Sequence, residues 1–171
     1  MNLREIRPED RPAIERISRV SFDRVYAFFS IRGSRQGWPQ LILEDDGAVV
    51  AFLAGRLFDG RPPVGYVYFV AVDPSRRRQH LGQRLVEESL RRFRERSATR
   101  VFAAVPDDNE ASMHLFKALG FQEVPRGAMW EWYRWRSVAL QMKMMIAPHE
   151  ILLARTFADP SPASVHGATH P

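Results

Sequence analysis

Apolar and polar positions along the chain change period several times, and each change marks an element. Leu3–Arg7 reads as a short strand, broken by Pro8 and the polar run after it. Pro12 suits the first turn of a helix, where its missing N–H is no loss, and Ile14, Ile17 and Ser21 then recur on one helical face. Val25–Ile31 predicts a second short helix and Arg32–Gln36 a loop. Leu41–Glu44 and Val49–Leu57 are strand-like. Asp45-Asp46-Gly47 joins them as a hairpin turn, because glycine accepts positive φ. After a break at Gly60–Pro63, Val64–Val72 is almost wholly apolar or aromatic, which predicts a central strand buried on both faces.

Asp73-Pro74-Ser75 ends that strand, and a helix follows from about Gly82 to Arg96. Leu81, Leu85, Leu90 and Phe93 fall near one of its faces, with Glu and Arg on the other. Arg100–Val105 predicts the next strand. Asn109 caps a helix whose stripe is Ala111, Leu115, Phe116 and Leu119, and Gly120 stops it. Phe121–Val124 and Val138–Met145 are expected to close the sheet as a final strand pair. Ala147–Pro171 reads as a loose tail in which Ile151-Leu152-Leu153 either stays free or packs back as one helical turn. The order βααββ, βα, βα, ββ implies an α/β (α+β) fold. Its mixed, partly parallel sheet has about seven strands, with helices on both faces. One domain over 1–146 and a tail over 147–171 is the expected organisation.

Composition narrows the chemistry. The 171 residues include no cysteine, which excludes a thiolate nucleophile, a disulfide framework and a Cys-ligated zinc site; no metal site is expected. The opening MNLREIRPED lacks the apolar core of a leader, and no run approaches the ~20 apolar residues that span a bilayer, so a cytoplasmic location is expected. The net charge of +5 suits RNA, an acidic protein or a phosphate-rich cofactor. Against RNA, Arg91, Arg92, Arg94 and Arg96 alternate with Glu87, Glu88 and Glu95, the pattern of a solvated face.

The segment from Val72 to Leu85 carries the clearest chemical signal. A buried strand ends, a turn with Arg76, Arg77 and Arg78 follows, and an amphipathic helix begins. Helix N-termini present free N–H groups and partial positive charge, and Gly82 leaves the backbone open to a ligand. Such a turn suits a diphosphate. Arg77-Arg78-Gln79-His80-Leu81-Gly82 resembles the Arg/Gln-x-x-Gly-x-Gly/Ala loop of the GCN5-related N-acetyltransferase (GNAT) superfamily at its first and last positions, with His80 in place of the first glycine. Asn109-Glu-Ala-Ser-Met-His-Leu-Phe-Lys-Ala-Leu-Gly-Phe121 resembles that superfamily's second signature, and the likeness runs from about Leu3 to Met145.

The resemblance implies an N-acetyltransferase fold in which the fourth and fifth strands splay to hold the pantetheine of acetyl-CoA. Val70, Ala71 and Val72 would line the pantetheine, Arg77, Arg78, Gln79, His80, Leu81, Gly82 and Gln83 would wrap the diphosphate, Asn109 would bond the pantetheine, and Phe116 would lie near the sulfur. For Asn109 a helix cap, and for Phe116 a core position, are equally available roles. The implied reaction is direct attack by an amine in a ternary complex; a CoA-binding sensor or assembly module that has lost catalysis is the alternative. Relatives carry a Tyr or Glu for proton transfer at positions held here by Phe116, Ala104 and Tyr66. The proton-handling candidates are therefore Tyr66, Tyr68 and Tyr133, with Glu131 and His114 also available. The acceptor is an amine on a small molecule, a protein or a peptide, expected between Ser21–Pro39 and Pro125–Arg136. Trp130, Trp132, Tyr133 and Trp135 of the second segment either wall that pocket or pack on the core or in a homodimer.

Overall fold

A computed structural model describes residues 1–157. The elements run β1 (Asn2–Glu5), α1 (Arg11–Ser21), α2 (Arg24–Gly33), β2 (Gln40–Asp45), β3 (Ala48–Phe58), β4 (Val64–Val72), α3 (Leu81–Glu95), β5 (Arg100–Pro106), α4 (Glu110–Ala118), β6 (Gln122–Glu123), α5 (Ala128–Tyr133), α6 (Arg136–Met144) and β7 (Glu150–Thr156). The seven strands form one mixed sheet in the order β1-β2-β3-β4-β5-β7-β6. Among the described residues, only the β4–β5 pair is parallel.

Local chemistry accounts for most of these boundaries. Asp46 and Gly47 both take positive φ, 48° and 77°, so β2 and β3 are joined by a turn whose twist matches the strands. The Asp23 carboxylate accepts the N–H groups of Val25 and Tyr26 at 2.8 and 2.9 Å and starts α2. Asn109 Oδ1 accepts the Ser112 N–H at 3.0 Å and starts α4, while Gly120, at φ 79°, ends it.

Both faces of the sheet are covered. On one, Leu85, Leu90 and Phe93 of α3 and Phe116 of α4 pack on Leu41, Leu53, Val101 and Leu153. On the other, Ile14 and Ile17 of α1 cover Ile42, Phe52 and Ala71. Further along that second face, Met129, Tyr133, Leu140 and Met144 of α5 and α6 cover Val64, Tyr66, Phe102 and Leu152.

Two expectations are corrected at the C-terminal end. Val138–Met145 is not a strand: Arg136–Met144 forms α6, burying Ser137, Leu140 and Met144 at helical spacing while Val138, Met142 and Met145 face outward. The closing strand is Glu150–Thr156, within the segment expected to be a loose tail. It inserts between β5 and β6, and its register runs from Arg100↔Thr156 to Pro106↔Glu150. Ile151-Leu152-Leu153 is thus strand rather than helical turn, with Leu152 and Leu153 buried on opposite faces. The rest of the expected tail, 158–171, lies outside the described residues. Leu153 is fully buried. Leu153→Ala is therefore expected to cost about 2–5 kcal/mol of unfolding free energy, measured by urea denaturation. A loose tail would show no loss.

Candidate active site

The site begins with an irregularity in β4. Its register against β3 steps from Ala54↔Phe69 to Gly55↔Val67, which leaves Tyr68 as an extra residue on β4, a bulge that bends the strand. The parallel pairing with β5 covers only Val64–Val67 against Arg100–Ala103. Beyond it, β5 stays paired with β7 as far as Pro106. Tyr68–Val72 and Ala104–Pro106 therefore diverge, and one edge of β4 presents N–H and C=O groups with no strand partner. A cavity of about 920 Å³ opens at this divergence, walled also by α2, the start of α4 and the segment from Met144 to Glu150.

Beside the cavity lies the turn before α3. His80 has a left-handed backbone (φ 55°, ψ 20°), the conformation that a glycine at this place supplies without strain, and Arg78 also has positive φ, 62°. The first backbone bond of α3 runs from the Arg84 N–H to the His80 carbonyl at 3.1 Å, so the N–H groups of Leu81, Gly82 and Gln83 have no acceptor within the helix. Arg77, Arg78, Gln79 and His80 are exposed around them. A Cβ on Gly82 meets only ordinary contacts, the nearest being Leu115 Cδ2 at 3.5 Å, followed by Val72 and Val70. The Cβ direction of Gly82 thus faces Leu115, Val72 and Val70, and Val70 also lines the cavity.

Of the residues expected to bind the cofactor, Val70, Asn109 and Phe116 line the cavity, while 77–83 form the adjoining turn. Ala71 is buried beneath α1, and Val72 packs on the opposite, α3 side. Asn109 acts as a helix cap through Oδ1. Phe116 is both wall and core: it is 3% exposed and packs edge-on against Phe121 at 5.0 Å.

The proton-handling candidates divide. Tyr66 and Tyr68 line the cavity, and burial raises the pKa of both hydroxyls. The Tyr68 ring lies beneath the Arg56 guanidinium, 5.1 Å away. Tyr133 is not in the cavity wall; it belongs to the core beneath α5, 6.2 Å from Phe102. Glu131 and His114 are exposed and also outside the wall. The acceptor side differs from expectation for the same reason. Pro125–Arg136 contains α5 on the sheet, with Trp132 6.0 Å from Phe102 and under the Arg100 guanidinium at 4.4 Å. The stretch that faces α2 across the cavity is instead Met144–Glu150.

That stretch brings a cluster that sequence reasoning missed. The Tyr26 hydroxyl donates to Glu150 Oε1 at 2.9 Å and lies 3.0 Å from His149 Nε2. Glu150 Oε2 accepts the Ala147 N–H at 2.7 Å, which fixes the carboxylate, and Arg126 holds the same turn through the carbonyls of Ala147 and Glu150. Burial, and then the Glu150 carboxylate, raise the pKa of Tyr26, so its proton is retained. A protonated hydroxyl joined to an imidazole and a carboxylate is a ready path for proton transfer. The only local signal was a tyrosine on a half-apolar helix; its partners stand more than a hundred residues away.

No helix among the described residues is long and apolar enough to cross a membrane. The family model described as "Acetyltransferase (GNAT) family" matches residues 2–121. A mycothiol acetyltransferase of Nocardiopsis dassonvillei is 39% identical over 93 residues, which are 50% of this chain and 26% of that protein. This chain thus spans about a quarter of that relative's length. Among solved structures, Ard1 from Thermoplasma volcanium superposes with a TM-score of 0.70 at 23% identity, over 92% of this chain and 98% of that one. The PaiA N-acetyltransferase of Thermoplasma acidophilum, solved in complex with coenzyme A, superposes at 0.68 with 11% identity, over 91% and 98%. The bulged and splayed β4, the open turn before α3 and the match over 2–121 agree: the chain belongs to the GNAT acetyltransferase family.

Proposed function

We propose that the protein transfers an acetyl group from acetyl-CoA to an amine by direct attack within a ternary complex. The observation that carries this reading is the divergence of β4 from β5 beside an open helix N-terminus. The unpaired edge of Tyr68–Val72 would take the amides of the pantetheine, and the N–H groups of Leu81–Gln83 with Arg77 and Arg78 would take the diphosphate. Acetyl-CoA supplies an activated acyl group. The amine nitrogen bonds to the thioester carbon, the C–S bond breaks, and the sulfur leaves as thiolate. A backbone N–H on the free edge of β4 polarises the carbonyl.

The chain's own task is to move protons. An ammonium must lose one before it attacks, and the Tyr26 hydroxyl can pass it to Glu150 or His149. The thiolate, with a free-thiol pKa of about 8.5, needs only weak assistance near neutral pH. Phe116 in the cavity wall therefore does not bar the reaction. A module that merely bound CoA would have no use for a tyrosine, imidazole and carboxylate joined on the cavity wall.

Ligand that binds only the folded state stabilises it by mass action. At a hundred times its dissociation constant, acetyl-CoA is expected to raise the melting temperature by roughly 5–10 °C. NAD at equal concentration is expected to give no such shift. Absence of a shift with millimolar acetyl-CoA contradicts the assignment.

A further inference from the structure

Helix α6 is apolar on two faces, and the sheet covers only one of them. Leu140 and Met144 pack on the sheet. Trp135, Val138, Met142 and Met145 are exposed instead, Trp135 at 81% and Met142 at 75%. These four run from the N-cap of α6 to its C-cap at spacings of three, four and three residues. That is the spacing of a helix–helix seam, and it makes one stripe about 15 Å long. Of the eight large apolar side chains exposed among the described residues, half belong to this one helix and its caps, whereas Val20, Val25 and Phe28 are divided between α1 and α2. A helix apolar on both sides is one that is buried on both. Trp135 is also held in place before any contact is made: its ring packs edge-on against Trp130 at 4.8 Å, and the Arg134 guanidinium lies 5.6 Å from the Trp130 ring. An aromatic fixed in advance loses little freedom when it is covered.

The stripe is complementary to itself. When two copies of α6 lie antiparallel about a two-fold axis at the level of Leu140, Trp135 meets Met145 of the other copy and Val138 meets Met142, each contact occurring twice. A thioether against an indole is a favourable contact. Charge selects the same direction. Antiparallel pairing sets Lys143 level with Ser137 and Ala139 level with Gln141, while parallel pairing sets Lys143 against Lys143 and aligns the helix dipoles. An acidic partner is not favoured, because Glu131 stands with Arg134 at one end of the face. Four side chains exposed to this degree present on the order of 500 Å² per copy, so the pair buries about 1,000 Å², where specific interfaces begin.

We propose that α6 joins two copies of this chain, antiparallel, with Trp135 of each against Met145 of the other. The pairing reaches the candidate site. Met145 lines the cavity, and its Sδ accepts the Tyr68 hydroxyl at 3.7 Å. The tryptophan of one copy therefore stands at the rim of the other copy's cavity. The pairing does not depend on the acetyltransferase reading and survives its failure.

Sedimentation velocity on the full chain across concentration tests this. A dimer that half-dissociates in the micromolar range is expected. Trp135→Glu and Met142→Lys are each expected to weaken association at least tenfold with unchanged melting of the monomer, since both side chains are exposed. Phe28→Glu, equally apolar and exposed but on α2, is expected to leave the dimer intact. The register has its own test. Val138→Glu and Met142→Lys chains are expected to stay monomeric apart and to form a mixed dimer together, because antiparallel pairing brings the new carboxylate to the new ammonium and leaves a native contact at the other end. Monomer at every concentration overturns the proposal, and sedimentation of that monomer with phosphatidylglycerol vesicles would give the face to a membrane instead. A dimer that survives Trp135→Glu and Met142→Lys but dissolves in Phe28→Glu overturns it as well, and no mixed dimer overturns the antiparallel register.

Discussion

Tyr26→Phe is expected to lower turnover by on the order of a hundredfold or more, the usual contribution of a positioned proton-transfer group, with acetyl-CoA affinity essentially unchanged. The substitution removes one oxygen and leaves the ring. That oxygen joins α2 to both His149 and Glu150, at 3.0 and 2.9 Å. Without it, the carboxylate keeps its bond from the Ala147 N–H, so the turn stays in place and the loss falls on chemistry rather than folding. Glu150→Gln is expected to lower turnover as well and to change the shape of the pH profile, because the amide cannot take a proton. Steady-state rates across pH, with melting temperatures as control, check both variants. Full activity in Tyr26→Phe would remove the cluster from the mechanism.

Gly82→Val is expected to abolish most acetyl-CoA affinity, by tenfold or more, while leaving the fold stable. Two effects oppose each other here. Helix interiors disfavour glycine by roughly 0.5–1 kcal/mol relative to alanine, and the Cβ finds only ordinary contacts. The free protein therefore loses little by the change, and Gly82→Ala is expected to be as stable or slightly more so. The ligand loses the close approach of the backbone on which the N–H groups of Leu81–Gln83 depend. Arg77→Ala is expected to cost less, since Arg77 is an exposed side chain and the expected diphosphate contacts come from main-chain N–H groups. Affinity lost in Arg77→Ala but kept in Gly82→Val would mean that side-chain charge, not main chain, holds the diphosphate.

Where local chemistry dominates, the fold was readable from the residues. Val64–Val72 is almost wholly apolar or aromatic because it is central, and its boundaries coincide with β4. Asp46-Gly47, Asn109 and Gly120 act within a few residues of themselves, so the hairpin and α4 followed directly. The two failures share a cause. Val138, Leu140, Met142 and Met144 alternate and mimic a strand, but the helix that forms buries Leu140 and Met144 and leaves Val138 and Met142 outside. Ile151-Leu152-Leu153 is a short apolar run that carries no period of its own. Its status as a strand depends on β5, some fifty residues earlier, offering an open edge.

The candidate site was readable to the same limit. The turn before α3 and Asn109 are contiguous motifs, and the structure places them at the β4–β5 divergence. His80 in place of glycine looked like a departure, yet it takes the left-handed conformation the turn needs. The Tyr26–His149–Glu150 cluster has no local signal because it depends on β7 pairing with β5, which delivers Glu150 opposite Pro106 and so to the cavity wall. A tail over 147–171 gives His149 and Glu150 no partner in the sheet and hence no place at a site.

A crystal structure of the full chain with acetyl-CoA tests the central claim most directly. The expected result has the pantetheine between Tyr68–Val72 and Ala104–Pro106, the diphosphate against the N–H groups of Leu81–Gln83, and the acetyl group facing the space bounded by Tyr26 and Glu150. Acetyl-CoA bound away from the β4–β5 divergence, or with its acetyl group turned from Tyr26 and Glu150, would contradict it.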